Sequence, residues 1–229
     1  MNLSPASILY ASLVLVVAVL LAINPSLIMH QPVFLFGVAL TAILIFYFLV
    51  RQIGFWQAML LFILASLIGF IMEYLGVHDG KTFTPYSYTD FLGPQIYNIP
   101  ILIPISWFTA LTTAWMGARL IIGFGKRVSG LIIILVASLL AVVYDLPIEY
   151  MAMHVWNSWN WEQGGPLLSV PTLNFIGWFV TAFLVFGLGS RAWRQINPSY
   201  KAYTDLQVVC FSAFALLLWH TALNLLGFG

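Results

Sequence analysis

Apolar residues occupy this chain in blocks too long and unbroken for a protein that faces water. Hydrophobic stretches lie near residues 6–23, 33–50, 57–75, 99–122, 128–150, 173–190 and 206–226, each close to the ~20 residues with which a helix crosses about 30 Å of hydrocarbon. About seven spanning helices are expected, in an all-α, multi-pass fold forming a single transmembrane domain over residues 1–229. Asn24-Pro25 and Gln31-Pro32 punctuate the first turn and Asn197-Pro198 the last, as residues that favour turns and stop helices should. Only the connections at 76–98 and 151–172 are long. The first stretch has no basic flank and no small-residue cleavage site followed by a soluble domain, so it reads as part of the protein and not as a signal peptide.

Composition agrees: 62% of the 229 residues are hydrophobic and 7% charged, against about 25% charged in soluble domains. The charges are sorted. Arg51, Arg119, Lys126, Arg127, Arg191, Arg194 and Lys201 fall on the connections between helices 2 and 3, 4 and 5, and 6 and 7, which the positive-inside rule makes cytoplasmic, with the N-terminus inside. Lys81 is the one base on the other side, where six of the seven acids lie: Glu73, Asp79, Asp90, Asp145, Glu149 and Glu162. With a net charge of +1 and no basic stripe, nucleic acid is a poor partner and membrane lipid the expected one. Cys210, the single cysteine, allows no intramolecular disulfide and reads as a buried helix residue.

Three acids sit against apolar sequence near helix ends, where an unpaired carboxylate costs several kcal/mol: Glu73, Asp145 and Glu149. Asp145 and Glu149 are four apart and share a helix face, unless Pro147 between them bends the helix. Asn174 begins the sixth helix, and His220 and Asn224 lie four apart near the outer end of the last. Asp79, Lys81, Asp90 and Glu162 read as headgroup-facing residues, and Tyr86, Tyr88, Trp156, Trp159 and Trp161 as an interfacial aromatic belt, although aromatic faces also hold a polyene or steady a cation.

Several chemistries are excluded. No lysine lies in a spanning stretch, so a retinal Schiff base has no anchor, and there is no Gly-rich nucleotide loop. His30, His78, His154 and His220 form no closely spaced pair, so no metal site is expected. Carboxylates, water and aromatic rings remain. A weak internal repeat aligns residues 98–110 with 169–182, each with a proline followed seven residues later by Trp-Phe, and each downstream of a helix ending in Glu-Tyr. As a parallel two-hairpin repeat it sets Glu73 and Glu149 across one cavity.

The ordered elements Glu73, Gly76-Val77, Asp79-Gly80, Thr84-Pro85-Tyr86-Ser87-Tyr88, Leu92-Gly93-Pro94 and Ile99-Pro100, then Asp145-Leu146-Pro147, Trp159-Asn160-Trp161, Gly164-Gly165, Val170-Pro171, Asn174-Phe175 and Gly177-Trp178 carry a resemblance. Over residues 69–182 the chain resembles the membrane-bound carotenoid biosynthesis family that includes the carotenoid 1,2-hydratases and bisanhydrobacterioruberin hydratases. It departs from the family pattern where a Pro-Phe-Gly-x-Tyr element has lost its Phe-Gly and where Leu146 separates Asp145 from Pro147. The resemblance implies a cofactor-independent hydratase of a prokaryotic cell membrane, adding water to the terminal 1,2 double bond of an acyclic or monocyclic carotenoid of lycopene, gamma-carotene or C50 type. Such a reaction protonates the less substituted alkene carbon and captures the tertiary cation with water. A carboxylic acid kept protonated by an apolar site can serve as the acid, and a second carboxylate can deprotonate the water.

On this reading Glu73, Asp145 and Glu149 are the reaction centre, and Tyr86, Tyr88, Trp107, Trp159, Asn174, Trp178, His220 and Asn224 contact the substrate. Two other functions fit the same inventory. A lycopene-cyclase-like isomerase would capture the cation with an internal double bond. A lipid or proton-coupled transporter would be expected to hold its acids at the midplane, whereas these sit near the outer end.

Overall fold

The computed structural model describes residues 3–24, 31–123, 128–198 and 200–227; Pro25, His30, Lys126 and Arg127, assigned above to turns, connections or unpaired histidines, lie outside them. The apolar stretches form α1 (Pro5–Ile23), α2 (Gln31–Ile53), α3 (Phe55–Asp79), α4 (Leu102–Ile122), α5 (Gly130–His154), α6 (Thr172–Leu188) and, after the short α7 (Ser190–Trp193), α8 (Lys201–Leu225). Among the described residues six helices, α1 to α5 and α8, are long and apolar enough to cross a membrane. The seventh, α6, has 17 residues, at the lower end of the spanning range. This is an all-α, multi-pass integral membrane fold.

Packing centres on α4, whose residues from Trp107 to Met116 are all buried and which packs against α2, α3, α5 and α8. Small residues set the close approaches. A Cβ at Gly69 on α3 would lie 2.5 Å from the Trp107 ring, so only glycine lets that indole lie flat against α3. At the other end of the bundle Asp205 on α8 accepts from the Ser4 amide at 2.8 Å and from the Ser7 hydroxyl. The seventh acid thus anchors the start of α1 by satisfying a donor that the helix leaves open.

The two long connections fold over one end of the bundle. The first supplies β1 (Tyr86–Tyr88), β2 (Gln95–Ile96) and β3 (Ile99–Pro100), and the second supplies β4 (Trp159–Trp161). The apolar stretch from residue 99 therefore becomes helical only at Leu102, because Ile99 and Pro100 pair back onto Ile96 and Gln95 in a hairpin. Its turn residues Tyr97 and Asn98 have φ of 52° and 60°, as a two-residue hairpin turn of this hand requires. The second connection repeats the device: Leu168 and Ser169 have φ of 53° and 59°, and Leu167 bridges Val170. In each case proline and the next helix follow.

The internal repeat is therefore a repeat of structure. In both halves a helix that carries Glu-Tyr in its last two turns and runs on past it, α3 to Asp79 and α5 to His154, leads to a three-residue strand (β1, β4), a tight hairpin, and a second helix (α4, α6). The strands of the two halves pair antiparallel, with Ser87 opposite Asn160 at the centre, Tyr86 opposite Trp161 and Tyr88 opposite Trp159. The aligned tryptophans Trp107 and Trp178 pack on each other with ring centroids 4.0 Å apart. Self-pairing of equivalent elements in both places is the signature of a two-fold relation between the halves.

Candidate active site

The glutamate in the last two turns of each repeated helix is a buried acceptor supplied by its own strand. Alternate residues of a strand point to one face, so Tyr86 and Tyr88 present both hydroxyls to the last turns of α3. Glu73 Oε2 accepts from the Tyr86 hydroxyl and from Tyr88 at 2.8 Å, and Oε1 accepts from the Trp107 indole N–H at 2.8 Å. Burial and the adjoining Glu73 carboxylate push both phenols well above the ordinary tyrosine range, so the hydroxyls keep their protons and donate.

In the second half the strand carries indoles instead. Glu149 Oε2 accepts from Trp159 Nε1 at 3.1 Å and Trp161 Nε1 at 2.9 Å. Asn174, at the start of α6, gives its amide Nδ2 to Glu149 Oε1 at 3.0 Å and to Asp145 Oδ2 at 2.7 Å. One nitrogen thus ties both acids, so Asp145 and Glu149 share a face of α5 although Pro147 stands between them. The other Asp145 oxygen, Oδ1, is buried without a hydrogen-bond partner among the described residues.

Glu73, Asp145 and Glu149 line one cavity of about 390 Å³, a size that takes a small apolar ligand. Tyr86, Tyr88, Trp107, Trp159, Asn174, Trp178 and His220, read above as substrate contacts, line it too. Asn224 does not: its amide turns back to the His220 carbonyl on its own helix, at 2.9 Å. Away from the acids the walls are apolar. They come from α1, α2, α4, α5 and α8, and the lining residues Leu13, Val33 and Phe36 are themselves 44%, 56% and 65% exposed, so the cavity opens between α1 and α2 toward the hydrocarbon. Along α2 the lining runs from Val33 to Thr41, roughly 12 Å at 1.5 Å per residue.

Sequence reasoning assigned Trp159, Trp161, Tyr86 and Tyr88 chiefly to the interfacial belt. All four donate to a carboxylate, and the missed signal was the i, i+2 spacing of Tyr-Ser-Tyr and Trp-Asn-Trp, which is strand spacing in a loop. Asp79 and Lys81 keep the interfacial reading, forming an exposed ion pair at 3.0 Å. Tyr10 and Thr41 were not foreseen; they meet at 2.7 Å on the cavity wall, with no charge in either residue to draw attention to them.

Residues 30–228 match the model of a family described as carotenoid biosynthesis protein. No curated protein and no solved structure matches the chain.

Proposed function

The chain belongs to the carotenoid biosynthesis protein family, and from that premise we propose that it is a carotenoid hydratase, adding water across the terminal 1,2 double bond of an acyclic carotenoid end. One observation carries the reading: three buried carboxyl groups stand beneath the strand-covered end of an apolar cavity that opens to the bilayer. An apolar polyene reaches such a site sideways from the lipid. A cavity roughly 12 Å long takes an isoprenoid end and leaves the remainder of the chain in the membrane.

The chemistry asks for few parts. An alkene is a poor base, so it needs a carboxylic acid held within hydrogen-bond reach. The tertiary cation that results is steadied by anionic carboxylates and by the ring faces of Trp159, Trp161 and Tyr88, which attract a cation through the aromatic quadrupole. Water added to the cation gives an oxonium ion, and loss of its proton to a carboxylate completes the tertiary alcohol. The rings also shield the cation from unintended partners, since they surround the acids on the side facing the two long connections.

Expression in a lycopene-producing host, followed by mass analysis of the pigments, tests the reading. Pigments heavier by one water per reacted end are the expected result. An isomer of unchanged mass would instead identify a cyclase-like isomerase, and unchanged lycopene would leave neither reaction standing.

A further inference from the structure

Resting on the hydratase reading, we propose that Asp145 supplies the reacting proton through Oδ1, that Glu149 stays a fixed anion, and that Asn174 is the residue that positions the two. The division follows from which atoms are already engaged. An acid that gives up a proton needs an oxygen to which nothing else donates. Glu149 has none: its three partners are the indole N–H groups of Trp159 and Trp161 and the amide N–H of Asn174, all donors with no capacity to accept from that atom. Glu73 receives one indole N–H on Oε1 and two phenols on Oε2. Asp145 alone has one oxygen held, Oδ2 by Asn174, and the other buried and unpaired among the described residues. A bare charge on that oxygen would be costly, whereas an O–H there is opposed by no donor among the described residues, and Asp145 lines the cavity.

Asn174 fixes the geometry. Asp145 Oδ2 and Glu149 Oε1, bonded to one nitrogen at 2.7 and 3.0 Å, are less than about 6 Å apart, so the two carboxyl groups are held side by side at hydrogen-bond lengths. The step then balances at a single carboxyl. The alkene π pair takes the Asp145 proton to form a C–H bond at the less substituted carbon, leaving the tertiary cation. A water lone pair forms the C–O bond, and the proton shed by the resulting oxonium returns to Asp145 Oδ1. Glu149 offsets the cation without changing its own protonation.

Wild type and the variants Asp145→Asn, Asp145→Glu, Asp145→Gln and Glu149→Gln, expressed in a lycopene-producing host, test this by product mass, protein level in the membrane and carotenoid retained on purification. Asp145→Asn should keep its membrane level and carotenoid while hydrated product falls on the order of 10²- to 10⁴-fold, the usual loss on removing a general acid. Wild type that yields no hydrated pigment overturns the hydratase reading itself. Hydrating wild type with near-normal product from Asp145→Asn overturns only the assignment. Should Asp145→Asn fail to accumulate, the size-matched Glu and Gln replacements decide: hydration confined to the Glu form supports the assignment, and equal product from both defeats it. Accumulated Glu149→Gln is also required to hydrate less than wild type, because the anion that offsets the cation is gone, yet above the level of Asp145→Asn.

Discussion

The two repeated halves hold their glutamates by the same plan and fill it with different chemistry. In the first half Glu73 is bonded by two phenols and an indole; in the second Glu149 is bonded by two indoles and an amide. Four residues before each glutamate the halves diverge. Gly69 stands on α3, where any Cβ would strike Trp107, and that indole fills the space and bonds Glu73. Asp145 stands at the matching position on α5, and the matching indole, Trp178, lies on Trp107 instead. The space that one half gives to a tryptophan, the other gives to a carboxyl. Each half holds a buried acceptor, and the difference between them at this one helical turn sets an acid beside one of the two.

Removing that acid should have the largest effect, so Asp145→Asn is expected to lower turnover on the order of 10²- to 10⁴-fold, with Glu73→Gln falling short of that loss. Equal losses would mean that the halves are functionally alike. The next effect tests the shared cavity. A Cβ at Gly37 meets nothing within 4 Å, and Gly37 lines the cavity, so Gly37→Phe should leave the fold intact and occupy the path of the polyene. Misplacing a reacting group by about 1 Å costs on the order of 10²-fold, and turnover in membranes measured against Gly37→Ala reads the effect.

Smaller, and a matter of stability, is the contrast between the two glutamates as amides. Glu149→Gln must turn an NH₂ toward N–H donors whichever way it flips, leaving buried donors unsatisfied at about 1–3 kcal/mol. Glu73→Gln can offer its oxygen to Trp107 and its NH₂ to phenols that rotate to accept, and should cost less than about 1 kcal/mol. Unfolding in detergent, followed by tryptophan fluorescence, would reveal an inverted order if the hydrogen-bond assignments are wrong. Smallest of all, Thr41→Val removes the partner of the Tyr10 hydroxyl and should cost about 1 kcal/mol, with little change in turnover, since valine keeps the volume of the cavity wall.

How much of this was legible in the sequence depended on period and length. Long apolar runs identify helices without help from tertiary context, and Glu73, Asp145 and Glu149 stood out because buried charge is costly wherever it sits. The repeat was visible in Pro100 with Trp107 and Pro171 with Trp178, but its strongest proof, the paired turns at Tyr97-Asn98 and Leu168-Ser169, involves residues whose types differ completely. The strands were hidden because three residues are too few to display a period. Asn174 was noted as a polar helix start, yet nothing local revealed that its amide bridges two acids on α5; the contact spans 25 and 29 positions. Asn224 misled for the same reason, its helical spacing from His220 fitting a shared site when the amide in fact bonds its own backbone.

The most direct test of a proton held on Asp145 is infrared spectroscopy of the purified protein at neutral pH, where the C=O stretch of a protonated carboxyl separates from carboxylate bands. A protonated-carboxyl band present in wild type and Glu149→Gln and absent from Asp145→Asn is the expected result. A band that survives in Asp145→Asn and disappears in Glu149→Gln would place the proton on the other acid and contradict the division of roles between the two.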